Sequence, residues 1–202
     1  MSFDLKLHAY RLLMDEPFFA CLSRKIEKRE DRSIPTAGVR VCPDSAQFEM
    51  IYNPEFFASL PEHEVKGVLK HEFYHLIFEH VTSRKPEGVP HKTWNIAADL
   101  AINSHLVGEL PELACMPGVG PFEALPKLKS AEWYLKNITD DQVDQCGGEG
   151  EPGEGGEPQP GSGQLDDHSG WDEESDSPAQ QAANQMAKER LKQAMKEAAS
   201  EA

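Results

Sequence analysis

His71-Glu72-Phe73-Tyr74-His75 sets two imidazoles four residues apart, with a carboxylate beside the first. On an α-helix, residues i and i+4 stack on one face, so His71 and His75 can take two corners of a tetrahedral zinc site. Glu72 then stands where the general base of a zinc hydrolase reaches water at the metal. The bland alternative is a pair of surface histidines on an amphipathic helix. The motif must be helical and partly buried to work, so the flanking sequence decides between the two.

The flanks favour a long helix. Ser59-Leu60-Pro61-Glu62 reads as a capping box, and Pro61 is tolerated in a first turn, where its missing N–H would be unpaired anyway. Val65, Val68, Leu69, Leu76, Ile77 and Val81 recur close to helical spacing. The stretch from about Leu60 to Val81 has no internal proline, and Gly67 is its one weak point. Both histidines fall mid-helix among apolar positions.

Catalytic zinc needs a third protein ligand. The run Lys92 to Asn103 reads as a second helix capped by Thr93, too apolar to be exposed, yet Asn95, Asp99 and Asn103 recur every four residues as a polar stripe. A buried carboxylate is costly unless paired or bound to a metal. Asp99 is therefore the favoured third ligand, against a structural role as a cap or ion pair. Asn95 and Asn103 are read as supporting hydrogen-bonders. His80 lies about 140° around the helix from His75. It cannot share the metal face unless the helix breaks, and no glycine intervenes to break it. It is read as a helix C-terminal histidine. His91 and His105 are weaker candidates.

The run Gly67–Leu76, with Trp94-Asn95-Ile96-Ala97-Ala98-Asp99 and Ile102-Asn103, resembles a zinc metallopeptidase (HExxH) domain family often found N-terminal to a von Willebrand factor A-like domain. Ile51–Phe57 upstream and Ser130–Tyr134 downstream resemble it too, so the likeness covers roughly residues 1–145. The resemblance implies a zincin-like peptidase domain and, through family members carrying the further domain, association with an AAA+ ATPase. This chain has no room for that domain; it is read as a short member or a fragment.

Residues 1–145 suffice for one domain with a core. No apolar run approaches a membrane span, and Met1–Lys6 shows no signal-peptide pattern. Cys21, Cys42, Cys115 and Cys146 form no C-x-x-C pair, which argues against a zinc ribbon; without an export signal they are read as free thiols of a cytoplasmic protein. A net charge of −15 disfavours nucleic acid as a partner. Ten acidic and no basic residues lie between Gly147 and Pro178, so the excess sits in one segment, while Arg24–Arg32 forms a local basic patch.

The remaining sequence predicts helices from Phe3 to about Met14 and from Glu16-Pro17 to about Lys28. A β-hairpin follows, with strands Gly38–Cys42 and Gln47–Tyr52 about the turn Pro43–Ala46. A sheet edge near the motif could hold an extended peptide. Ser130 caps a helix over Ala131–Lys136, and Thr139 starts another turn. The predicted class is α+β, a mostly helical domain with a small sheet over 1–145. Residues 146–177 form an acidic Gly/Pro-rich linker read as disordered, and 178–202 an Ala-rich helix capped by Ser177. That helix carries Ala183, Met186, Ala187, Ala194, Met195 and Ala198 on one face and is read as docking on a partner or on sequence beyond the chain. Within the linker, His168 and Trp171 are read either as a pair without a role or as a fold-back motif, His168 being a rival third ligand.

These residues predict zinc-dependent hydrolysis of a protein or peptide substrate, with Glu72 as general base and His71, His75 and Asp99 on Zn2+. The rival reading is a non-catalytic metal-binding adaptor acting through protein partners.

Overall fold

The computed structural model describes residues 5–42, 44–146 and 178–201. In chain order the elements are α1 (Leu5–Asp15), α2 (Pro17–Ser23), β1 (Glu27–Glu30), β2 (Ala37–Cys42), β3 (Gln47–Tyr52), α3 (Pro54–Ser59), α4 (Glu62–Ile77), α5 (His91–Asn103), a 3-10 turn (Gly120–Phe122), α6 (Ala131–Asn137), α7 (Asp140–Cys146) and α8 (Pro178–Glu201). The fold is α+β and mostly helical, as expected. Its described residues form two compact units, one of residues 5–85 with 178–201 and one of residues 86–146. The acidic segment 147–177, with His168 and Trp171, lies outside the described residues.

In the first unit the predicted hairpin is present, β2 and β3 pairing antiparallel with Val39 opposite Met50 and Val41 opposite Phe48. Sequence reasoning missed the third strand. β1 pairs parallel with β3, giving the order β1-β3-β2. The helix expected to reach Lys28 stops at Ser23 instead. Lys28 donates to the carbonyls of Ser23 and Ile26, tying the strand's start to the last helical carbonyl. Glu27-Lys28-Arg29-Glu30 carries only charge because β1 is an edge strand; charged edges block pairing with other chains, and they erase the alternation that announces a strand.

α4 buries nearly its whole circumference. Val65, Val68, Leu69, Phe73 and Leu76 are at most 1% exposed, each contributing about 1.5–3 kcal/mol relative to an exposed position. Its ends differ from the prediction. No capping box forms: Pro61 is the N-cap and provides no side-chain bond, while Ser59 closes the preceding α3 by donating to the carbonyl of Phe56. Asn53 caps α3 by accepting from the Glu55 N–H. At the other end α4 stops at Ile77, four residues short of Val81.

The C-terminal helix does not wait for an outside partner. α8 packs on α2 and on the sheet of its own unit, burying Ala183, Ala187, Leu191, Ala194 and Ala198. Met186, expected on the buried face, is half exposed. Arg190 donates to the carbonyls of Ser45 and Ala46 in the β2–β3 turn, and Lys25 pairs with Glu197 at 2.8 Å.

The second unit is built on α5, where Trp94, Ile96, Ala97, Ala98, Leu100 and Ile102 are fully buried. The helix begins at His91, with Pro90 rather than Thr93 as N-cap. Ser130 does cap α6, and Thr139 forms a capping box with Gln142 at the start of α7. Tyr134 of α6 donates to the carbonyl of Pro126 and meets Ser104 at 3.1 Å. Cys115 and Cys146 form a disulfide between the loop after α5 and the end of α7, which corrects the reading of four free thiols; Cys21 and Cys42 are free. The cysteines therefore no longer argue for a reducing compartment. Among the described residues no helix is long and apolar enough to cross a membrane.

Candidate metal centre

His71 and His75 sit one turn apart on α4, both fully buried, with their Nε2 atoms 3.1 Å from each other and ring planes 73° apart. Two imidazole nitrogens sharing one tetrahedral zinc at bond lengths of about 2.0–2.1 Å would stand roughly 3.3 Å apart. The observed spacing is within a few tenths of an ångström of that value. The surface-histidine alternative fails, because neither ring reaches solvent. Helical spacing explains the convergence: the two side chains leave successive turns of one face and lean the same way along the axis.

Glu72, between them in sequence, is also fully buried on α4. Its neighbour Lys70 is 6% exposed and donates to Glu16 at 3.0 Å, so the helix carries a compensated buried cation one residue before the motif. Tyr74 points away from the His71–His75 pair, packed edge-on to Phe19 and stacked on Phe78.

The stripe on α5 is buried as its spacing implied: Asn95 is 6% exposed, Asp99 and Asn103 1% each. Its members do different work. Asn103 donates to the carbonyl of Cys115 at 2.7 Å, a structural bond to the disulfide loop. Among the described residues the buried Asn95 Oδ1 has no hydrogen-bond partner. Asp99 belongs with the histidines: one donor atom from each of His71, His75 and Asp99 lies within 4.8 Å of the other two, all three side chains buried. Two imidazoles and one carboxylate are a donor set that zinc takes at catalytic sites, so the residues fit the ion the spacing called for. This is the one such cluster of His, Cys, Asp and Glu among the described residues. His91 and His105 are not in it.

A family model described as a putative metallopeptidase domain matches residues 2–202. The chain belongs to this family. One curated relative, described as an uncharacterized protein of Thermotoga maritima, is 35% identical over 78 residues, which is 39% of this chain and 18% of the relative. The chain thus spans less than a fifth of that relative's length. No solved structure matches. In this metallopeptidase-family chain, the three residues singled out in the sequence come together in one cluster that could hold a metal ion, but the turn after α4 was missed. His80 does come back to α4, its Nδ1 3.4 Å from the Nδ1 of His75. The helix breaks at Phe78 and Glu79 takes φ 59°, the left-handed conformation that glycine usually supplies. Without a glycine in Phe78-Glu79-His80, no residue type signalled the break.

Proposed function

We propose that this chain is a zinc-dependent metallopeptidase that hydrolyses peptide bonds of a protein or peptide substrate. His71, His75 and Asp99 hold the ion, and Glu72 is the general base. The supporting observation is the approach of three buried donor atoms to within 4.8 Å of one another, with Glu72 buried on the same helix as the two imidazoles. Zinc, when bound, supplies Lewis-acid polarisation of the scissile carbonyl and lowers the pKa of water toward about 7.

The chain's own residues do the rest. The carboxylate of Glu72 takes a proton from the attacking water and passes it to the leaving amine, so the residue ends each cycle as it began. Burial strengthens every charge interaction around it, because little solvent screens the site. Asp99 brings a negative charge that offsets part of the ion's charge.

The test is Glu72→Gln, which keeps size and hydrogen bonding but cannot carry the proton. Zinc stoichiometry is expected to stay at the wild-type value while peptide cleavage falls by about 10²–10⁴-fold. Cleavage at the wild-type rate in the variant would contradict the general-base role. Zinc binding with no cleavage by either protein, across a proteome-derived peptide library, would favour the adaptor reading instead.

A further inference from the structure

The turn that ends α4 is built from both of its defining hydrogen bonds. The N–H of His80 donates to the carbonyl of His75, and the N–H of Glu79 donates to the carbonyl of Leu76, each at 2.9 Å. With Glu79 left-handed, this is a Schellman motif, in which the residue at the sixth position folds back over the first. Here the first is His75 and the sixth is His80. The motif often brings two apolar side chains together at these places; in this chain it brings two imidazoles together, with ring centroids 5.4 Å apart and His80 2% exposed.

A left-handed glutamate costs about 1–2 kcal/mol relative to glycine, so the turn needs support. Three neighbours provide it. Lys188 of α8 pairs with the Glu79 carboxylate at 2.6 Å, Ser83 donates to that carboxylate at 3.0 Å, and Arg84 donates to the carbonyl of Phe78 at 3.1 Å. The Lys188 hydrogen bond, ahead of that from Ser83, holds the Glu79 carboxyl below the usual range. α8 thereby clamps the turn that carries His80.

We infer that His80 is a positioning residue, whose Nδ1 accepts a hydrogen bond from the Nδ1–H of His75 and so fixes the tautomer and ring orientation in which the lone pair of His75 Nε2 is presented to a metal. The inference rests on the metal-site reading above. A neutral imidazole carries one ring proton, and a metal at Nε2 requires that proton on Nδ1. An acceptor facing Nδ1 selects this tautomer before any ion arrives. His80 meets the need if its own proton is on Nε2. Ligating histidines are generally held this way by a carboxylate or a carbonyl; here another imidazole, delivered by the helix's own terminus, takes that place. A separation of 3.4 Å is long for a hydrogen bond, which sets the effect toward the weak end of the range for such outer contacts, about 10–100-fold in metal affinity.

The experiment uses the full chain. Nitrogen-15 imidazole spectra of the metal-free protein are expected to show His75 as the Nδ1–H tautomer. His80→Ala is expected to mix the tautomers and weaken zinc binding about tenfold, read by competition with a chromophoric chelator. His80→Gln, whose side-chain oxygen can accept, is expected to recover most of that affinity. A purely structural role would lower the melting temperature and leave tautomer and affinity alone. His75 with its proton on Nε2 in the wild type would overturn the inference even if His80→Ala does not fold, as would zinc affinity unchanged in both variants. Failure of the wild type to bind zinc would instead remove the metal-site reading, with the tautomer still deciding whether His80 orients His75.

Discussion

Two helices carry polar residues at four-residue spacing, and they use the spacing differently. On α4 both members, His71 and His75, present Nε2 to the same place, 3.1 Å apart. On α5 the stripe divides: Asn103 bonds the Cys115 carbonyl, while Asp99 joins the two histidines in the donor cluster. Spacing therefore fixes only which face a residue occupies. Residue chemistry and the element covering each turn decide whether that position joins the donor cluster or makes a structural bond. A pair spanning one turn can do one job, whereas a stripe of three spans two turns and meets two surroundings.

Separating the two roles on α5 gives the largest expected effects. Asp99→Asn keeps the shape and removes the charge, so zinc affinity should fall by more than the roughly 10–100-fold typical of outer contacts. Asn103→Ala, one turn on, should leave affinity near wild type but cost about 1–3 kcal/mol of stability, because the Cys115 carbonyl loses its buried donor. Chelator competition and urea unfolding on the same two proteins measure both quantities. Equal loss of zinc affinity in the two variants would show that the stripe acts as one unit and erase the contrast with α4.

A smaller effect comes from a half-buried charge, Lys28 on the edge strand β1. Burial lowers the pKa of Lys28 from 10.5 to about 8. Between those values the unfolded chain binds more protons than the folded one, so this group's contribution to stability rises with pH from about 8 to 10.5; below pH 8 its penalty is fully present. The difference between wild type and Lys28→Met in a pH series of urea midpoints should show that slope. A flat difference would mean that Lys28 is solvated in the fold.

What the sequence revealed follows a physical divide. The histidine pair, the buried character of the Asp99 stripe, the hairpin, the Ser130 cap and the turn starting at Thr139 were legible, because each depends on side chains that announce themselves by type and local spacing. β1 was not, since an edge strand of four charged residues has no apolar alternation to read. The break at Glu79 was not, since its left-handed residue is a glutamate supported by Lys188, more than a hundred positions away. The same distance hid the place of α8, whose alanine stripe reads as a face without revealing what covers it. The Cys115–Cys146 pairing was hidden too, because 31 residues of sequence separation say nothing about proximity.

The central claim is that one ion is shared by His71, His75 and Asp99. X-ray absorption at the zinc edge, on the full chain loaded with one equivalent of zinc, tests it most directly. The account predicts a first shell containing two imidazole nitrogens at about 2.0–2.1 Å and at least one carboxylate oxygen, with an imidazole signal lost in His75→Ala and the protein oxygen lost in Asp99→Asn. A shell containing sulfur, or one that the His75 and Asp99 substitutions leave unchanged, would contradict it.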